Sequence, residues 1–125
     1  MTDPTIPTRI GQVALTVDDL DRAVAYYRDV LKLKHLFSAG NMAFFDCGGT
    51  RILVGTENAT PQKTHLYFEV ADIHAAHDAM EQRGAVFEER PHMVAKLPDR
   101  EVWIALFKDP AGTLHHLISE VQIRP

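Results

Sequence analysis

A nine-residue pattern near the start of the chain recurs at an offset of 53 positions: Gln12–Leu20 lies over His65–Ile73. No other feature restricts the fold as much, because a repeat of this kind is one supersecondary unit used twice. The apolar positions of the two segments coincide, and so does the Asp followed by an aliphatic residue, Asp19-Leu20 and Asp72-Ile73. Both segments alternate with period 2 and then switch to helical spacing, the pattern of a strand running into a helix.

In the first copy Val13, Leu15 and Val17 form one face and Gln12, Ala14 and Thr16 the other. In the second, Leu66, Phe68 and Val70 oppose His65, Tyr67 and Glu69. Strands of this kind are half-buried, with one face packed and the other wetter. Asp19 and Asp72 are placed to cap the helices, since a side-chain carboxylate can accept the amide protons that a first helical turn leaves unpaired. The first helix is expected to run from Leu20 to about Leu31, burying Leu20, Ala23, Tyr27, Val30 and Leu31. The second carries Ile73, Ala76 and Met80, with His77 at the margin of the stripe, and Gly84 is the natural residue just past its end.

Three shorter strands follow each helix: Lys34–Phe37, Asn41–Asp46 and Thr50–Gly55, then Ala85–Glu89, Val102–Phe107 and Thr113–Glu120. The last two are joined by Asp109-Pro110-Ala111-Gly112, a type I turn pattern. Gly49-Thr50 lies over Gly112-Thr113 at an offset of 63, so the extra residues fall between His92 and Glu101 and read as a loop. The expectation is an α+β domain over residues 1–125, made of two βαβββ modules at about 9–57 and 64–120 with Asn58–Lys63 as the link. Mixed sheets would carry helices on the outer face and leave an open cleft on the other.

Composition narrows the function. A chain of 125 residues with 46% hydrophobic content has enough apolar surface for a core. The net charge is −4 and the cations are scattered, which gives no basic stripe for nucleic acid. No apolar run approaches the roughly 18 residues that span a bilayer, and no secretory signal opens the chain. The single Cys47 suits a reducing cytoplasm and reads as a small packing residue rather than a catalytic thiol.

Polar residues on the face away from the helices need a reason. Gln12 and His65 hold equivalent places at the head of each module. On the closing strand Leu114, His116 and Ile118 share one face, and His115 and Leu117 the other. A lone strand histidine is more often packed or solvated than a ligand. A symmetric polar pair with a third member on the closing strand is a stronger pattern, and two imidazoles with an amide oxygen suit Zn, Fe, Ni, Co or Mn. Glu69 and Tyr67 share the face of His65, so Glu69 is a candidate general base or ligand-orienting residue beside a surface role. Tyr67, Trp103 and Phe44 or Phe45 are pocket candidates, of which at least two belong to the core. His74 and His77, three apart on one helix without a partner on another element, read as solvated. His92 falls in the long loop, His35 reads as exposed, and Asp18 as solvated.

These residues resemble the vicinal oxygen chelate superfamily, which includes glyoxalases, bleomycin-resistance proteins, extradiol dioxygenases, fosfomycin-resistance enzymes and methylmalonyl-CoA epimerases. The likeness lies in Gln12–Val17 with the helix Asp19–Leu31, and in the closing turn Phe107–Thr113, and it extends from about Arg9 to Glu120. It implies metal ligands from the first and last strands of each module. Those places fall on Gln12, His65, Leu53 and His116, and leucine cannot coordinate. The closing place, which the family normally fills with Glu, is His116 here. The resemblance therefore implies a divalent metal on Gln12, His65 and His116, with His116 and Glu69 left as the proton-moving candidates. It also implies a small-molecule substrate and a homodimer. Three functions are compatible: a metal-dependent glyoxalase-like lyase or isomerase, an extradiol-type dioxygenase, and a metal-free protein that binds a drug or other small molecule.

Overall fold

The computed structural model describes residues 3–57 and 62–123, so the first four residues of the expected link Asn58–Lys63 lie outside the described residues. The chain divides into two compact units, Gly11–Leu66 and Met1–Ile10 with Tyr67–Pro125. Along the described chain the elements run β1 (Arg9–Thr16), α1 (Leu20–Ala25), β2 (Lys34–Ala39), β3 (Met42–Cys47), β4 (Thr50–Gly55), β5 (Thr64–Glu69), α2 (Ile73–Gln82), β6 (Val86–Lys96), β7 (Arg100–Lys108) and β8 (Leu114–Gln122). This is the α+β, twice-repeated βαβββ order expected from the repeat.

In the unit Gly11–Leu66 the strand order is β2-β3-β4-β1. β1 and β4 are parallel, and β3 runs antiparallel to β4 and β2. The β3–β4 hairpin closes on the Cys47–Thr50 pair through Gly48 and Gly49. Both glycines have positive φ, 61° and 95°, as a two-residue turn matching the strand twist requires. Cys47 itself is exposed. The core is Ala43, Phe45 and Val54, against which Leu15, Val17, Leu20, Ala23, Val24, Tyr27, Leu33 and Ile52 pack.

α1 is shorter than its sequence suggests. After Ala25 it widens into a π-helical turn, Tyr26–Val30, closed by the Leu31 amide donating to the Tyr26 carbonyl at 3.1 Å. A wider turn holds more residues, so each one rotates less about the axis and the face that follows is shifted, which accounts for a difference from the expected stripe. Val30 and Leu31 are exposed rather than buried, and Val24 and Leu33 pack in their stead.

In the other unit the order is β5-β8-β7-β6, with β5 and β8 parallel and the remaining pairs antiparallel. α2 covers one face and buries Ile73 and Ala76 against Val70, Ala105 and Leu117. Gly84 follows the helix with φ of 101°, and the Ala85 amide returns to the Met80 carbonyl. The stretch from His92 to Glu101 is mostly strand rather than loop: β6 continues to Lys96 and pairs with β7 through three register shifts. Bulges absorb unpaired residues while keeping the ladder, so the second module lengthens its hairpin instead of inserting a loop.

Both caps form as expected. The Asp19 carboxylate accepts from the Arg22 amide at 3.1 Å, and Asp72 from the Ala75 amide at 3.0 Å. Asp72→Ala should cost about 1 kcal/mol, and Asp72→Asn much less. Urea unfolding of the three proteins checks this, and equal losses for Ala and Asn would contradict the capping role.

Candidate functional site

The β1–β4 register sets the polar face of the first unit. Gln12 lies opposite Arg51 and Ala14 opposite Leu53, while Val13 lies opposite Ile52 on the helix side. Because side chains alternate across a strand, Gln12, Arg51 and Leu53 share the face away from α1. Gln12 is only 5% exposed. The Arg51 Nε donates to its Oε1 at 2.6 Å, a short charge-assisted bond. His65, at 6% exposure, belongs to the same unit. Leu53 holds the place of a possible fourth ligand and coordinates nothing.

In the second unit the β5–β8 register places Tyr67 opposite His116 and Glu69 opposite Ile118. The Tyr67 and His116 rings stack with centroids 4.2 Å apart and planes 9° from parallel. His116 is 9% exposed. The neighbouring His115 points the other way. Its ring lies among Phe68 and Phe107, with Nε2 3.2 Å from Asp109 Oδ2. Asp109 fixes the turn before β8 by accepting from the Thr113 and Ala111 amides at 3.0 and 2.9 Å. Those bonds, the Thr113 amide first, hold its carboxyl below the ordinary aspartate range. The turn thus sets which of two adjacent histidines joins the helix-packed side.

Glu69 is engaged: its Oε2 accepts from Arg9 Nε at 2.7 Å. A general base at this place would work against that ion pair. Trp103 and Phe45 pack in the two cores, and Phe44 stacks on Phe37 at 4.4 Å. His92 sits within β6, its Nδ1 2.8 Å from the Arg90 carbonyl oxygen. His35 is half-buried rather than exposed, against Phe45 at 5.1 Å and beside the Ser38 hydroxyl.

Two residues differ most from sequence expectation. His77 is buried, 3% exposed, not solvated. The Phe87 ring stands edge-on to it at 4.4 Å, Asp78 meets its Nδ1 at 3.0 Å, and Glu81 lies 3.6 Å from its Nε2. The strand β6 that covers α2 is what buries it. Arg51 was not among the sequence-derived candidates at all. The signal for it was present: it lies two residues before Leu53 in a strand, hence on the same face.

As a donor set, Gln12, His65 and His116 fit a borderline divalent ion in kind, with two imidazoles, one amide oxygen and no carboxylate. What the first unit adds is a cation bonded directly to the amide oxygen.

The two βαβββ units, each with its polar face turned from the helix, define the fold class of the protein. The model of the Glyoxalase/Bleomycin resistance protein/Dioxygenase superfamily matches residues 9–117, and the chain belongs to that family. It is 31% identical over 126 residues to the uncharacterized protein YraH of Bacillus subtilis strain 168, covering 85% of this chain and 94% of that protein. Among solved structures, methylmalonyl-CoA epimerase of Streptomyces coelicolor superposes with a TM-score of 0.71 at 19% identity, over 95% of this chain and all of that one. The Mn(II)-bound glyoxalase of Novosphingobium aromaticivorans also gives 0.71, at 20% identity, over 95% of this chain and 42% of that one. At these identities the two structures speak for the fold. Among the described residues no helix is long and apolar enough to cross a membrane.

Proposed function

We propose that this protein is a metal-dependent enzyme of the glyoxalase kind, a lyase or isomerase, with Gln12, His65 and His116 as the ligands of a divalent ion. The observation that carries the reading is burial. All three are polar, all are less than a tenth exposed, and Gln12 and His116 lie on faces their helices leave uncovered. Burying polar groups is costly unless they are used or satisfied. A divalent ion held there would act as a Lewis acid on two neighbouring oxygens of a small substrate. Tyr67 holds the His116 ring in one plane by stacking, which orients its nitrogens. Proton movement would fall to His116 or Glu69. Glu69 would first have to leave Arg9, and His116 cannot serve as ligand and base at once. A homodimer is the expected assembly.

A second reading has an observation of its own. The Arg51–Gln12 bond satisfies the amide oxygen without a metal, which favours a metal-free protein that binds a small molecule against the same polar residues.

Elemental analysis separates the two. The metal reading expects one divalent ion per chain after purification in metal-supplemented buffer, at least tenfold weaker binding in His65→Ala and in His116→Ala, and a fall in melting temperature on adding EDTA. A protein that binds no divalent ion and melts identically with and without EDTA sinks this reading and leaves the metal-free one. Ligand stabilisation that survives chelation would then be the positive sign.

A further inference from the structure

Arg51 does to Gln12 what a metal ion would do. Its Nε sits 2.6 Å from the Oε1 that the metal reading needs, and β1 and β4 hold the two residues directly opposite each other in register. The contact is therefore built into the ladder and is not a chance meeting of long side chains. A carboxamide oxygen is neutral, and a guanidinium is always charged. A divalent ion on the same oxygen would stand a few ångströms from a fixed positive charge, with no carboxylate among the ligands to offset either. The bond also takes one lone pair of Oε1 and sets which way the amide faces: the guanidinium charge opposes a cation at the other lone pair, and the NH2 side donates protons and does not ligate.

We infer that Arg51 is a positioning residue that competes with metal for Gln12 and so sets the metal affinity of the protein. The inference rests on the metal reading above. In the arginine-bound arrangement Gln12 is withdrawn as a ligand and His65 and His116 are left as the donors. Removing the guanidinium releases the amide oxygen. Arg51 is thus the opposite of the usual outer-shell partner, which strengthens a ligand and whose loss typically weakens metal binding 10- to 100-fold.

The test is a Co(II) titration of the metal-stripped protein, following both the dissociation constant and the visible absorption, for wild type, Arg51→Met, Arg51→Lys, Gln12→Ala and the double variant Gln12→Ala/Arg51→Met. Arg51→Met should bind Co(II) about tenfold tighter than wild type, with a changed spectrum as an oxygen donor joins the set. In the Gln12→Ala background the same substitution should change neither quantity by as much as twofold. A purely structural role for Arg51 would not give a gain that depends on Gln12. Arg51→Lys keeps the charge, provides a second variant should Arg51→Met fold poorly, and should stay within about threefold of wild type. If wild type binds Co(II) and Arg51→Met binds it equally or more weakly, the inference fails and the metal reading stands. If no variant binds Co(II), both fail together.

Discussion

Phe45→Ala is expected to lower the unfolding free energy by about 4 kcal/mol, the largest effect of any single substitution in the first unit. Its ring is wholly buried. It lies between the Tyr27 ring at 5.8 Å and the His35 ring at 5.1 Å, with Ala43 and Val54 beside it. Truncating a core phenylalanine loses the transfer free energy of the ring and leaves a cavity whose cost depends on how far the walls can close, typically 3–5 kcal/mol in all. Here the walls are two hydrogen-bonded strands and a capped helix, none able to close inward without breaking its own ladder. Domains of this size are stable by only about 5–15 kcal/mol, so the loss removes a large fraction of the margin. Urea unfolding measures it directly, and a loss below about 1 kcal/mol would show that Phe45 is not the centre of this core.

Leu117→Ala should cost about 3 kcal/mol in the second unit. Leu117 is completely buried, with Ala76, Ala105, Val70 and Ile73 around it. Two of those neighbours are alanines, which have no rotatable side chain to swing into the space. The cavity should therefore persist, and such sites fall within the roughly 2.7–5 kcal/mol seen for leucine truncations. Leu117→Met, which keeps the volume, should cost less than about 1.5 kcal/mol. Equal losses for Ala and Met would mean that branching at this place, and not filled volume, is what the unit requires.

The repeat made the fold legible because its signal is carried by many positions at once. Period-2 alternation, two aspartate caps and a handful of turn glycines each predict the same arrangement, and agreement across levels is what makes a sequence foldable. The differences lie where one local rule met a tertiary condition that pattern cannot carry. Val30 and Leu31 fit an α-helical stripe, but a π-turn rotates them outward. Pro91 to Glu101 carries two prolines, Pro91 and Pro98, and charges that read as loop, yet bulges allow strand pairing to continue. His77 looked solvated by its neighbours in sequence and is covered by Phe87, ten residues on. For the candidate site, alternation was sufficient to separate His116 from His115. It was equally sufficient to bring Arg51 to the face of Gln12. Ligand-type residues alone do not mark that cation, because arginine ligates nothing and shows its effect only when strand register is known.

The adjacent histidines of β8 have a consequence for how the protein can change over generations. His115 and His116 point to opposite faces, so a gain or loss of one residue in the Asp109–Gly112 turn would slide β8 by one place and turn each to the face it now avoids. An imidazole would face away from α2 in either frame. Leu117 fares differently in the two directions: a gain pushes the polar His116 into its place in the core, whereas a loss brings the apolar Ile118 there. The length of that turn is therefore tied to the packing of β8 as well as to the imidazole, and an insertion there should be tolerated less well than a deletion.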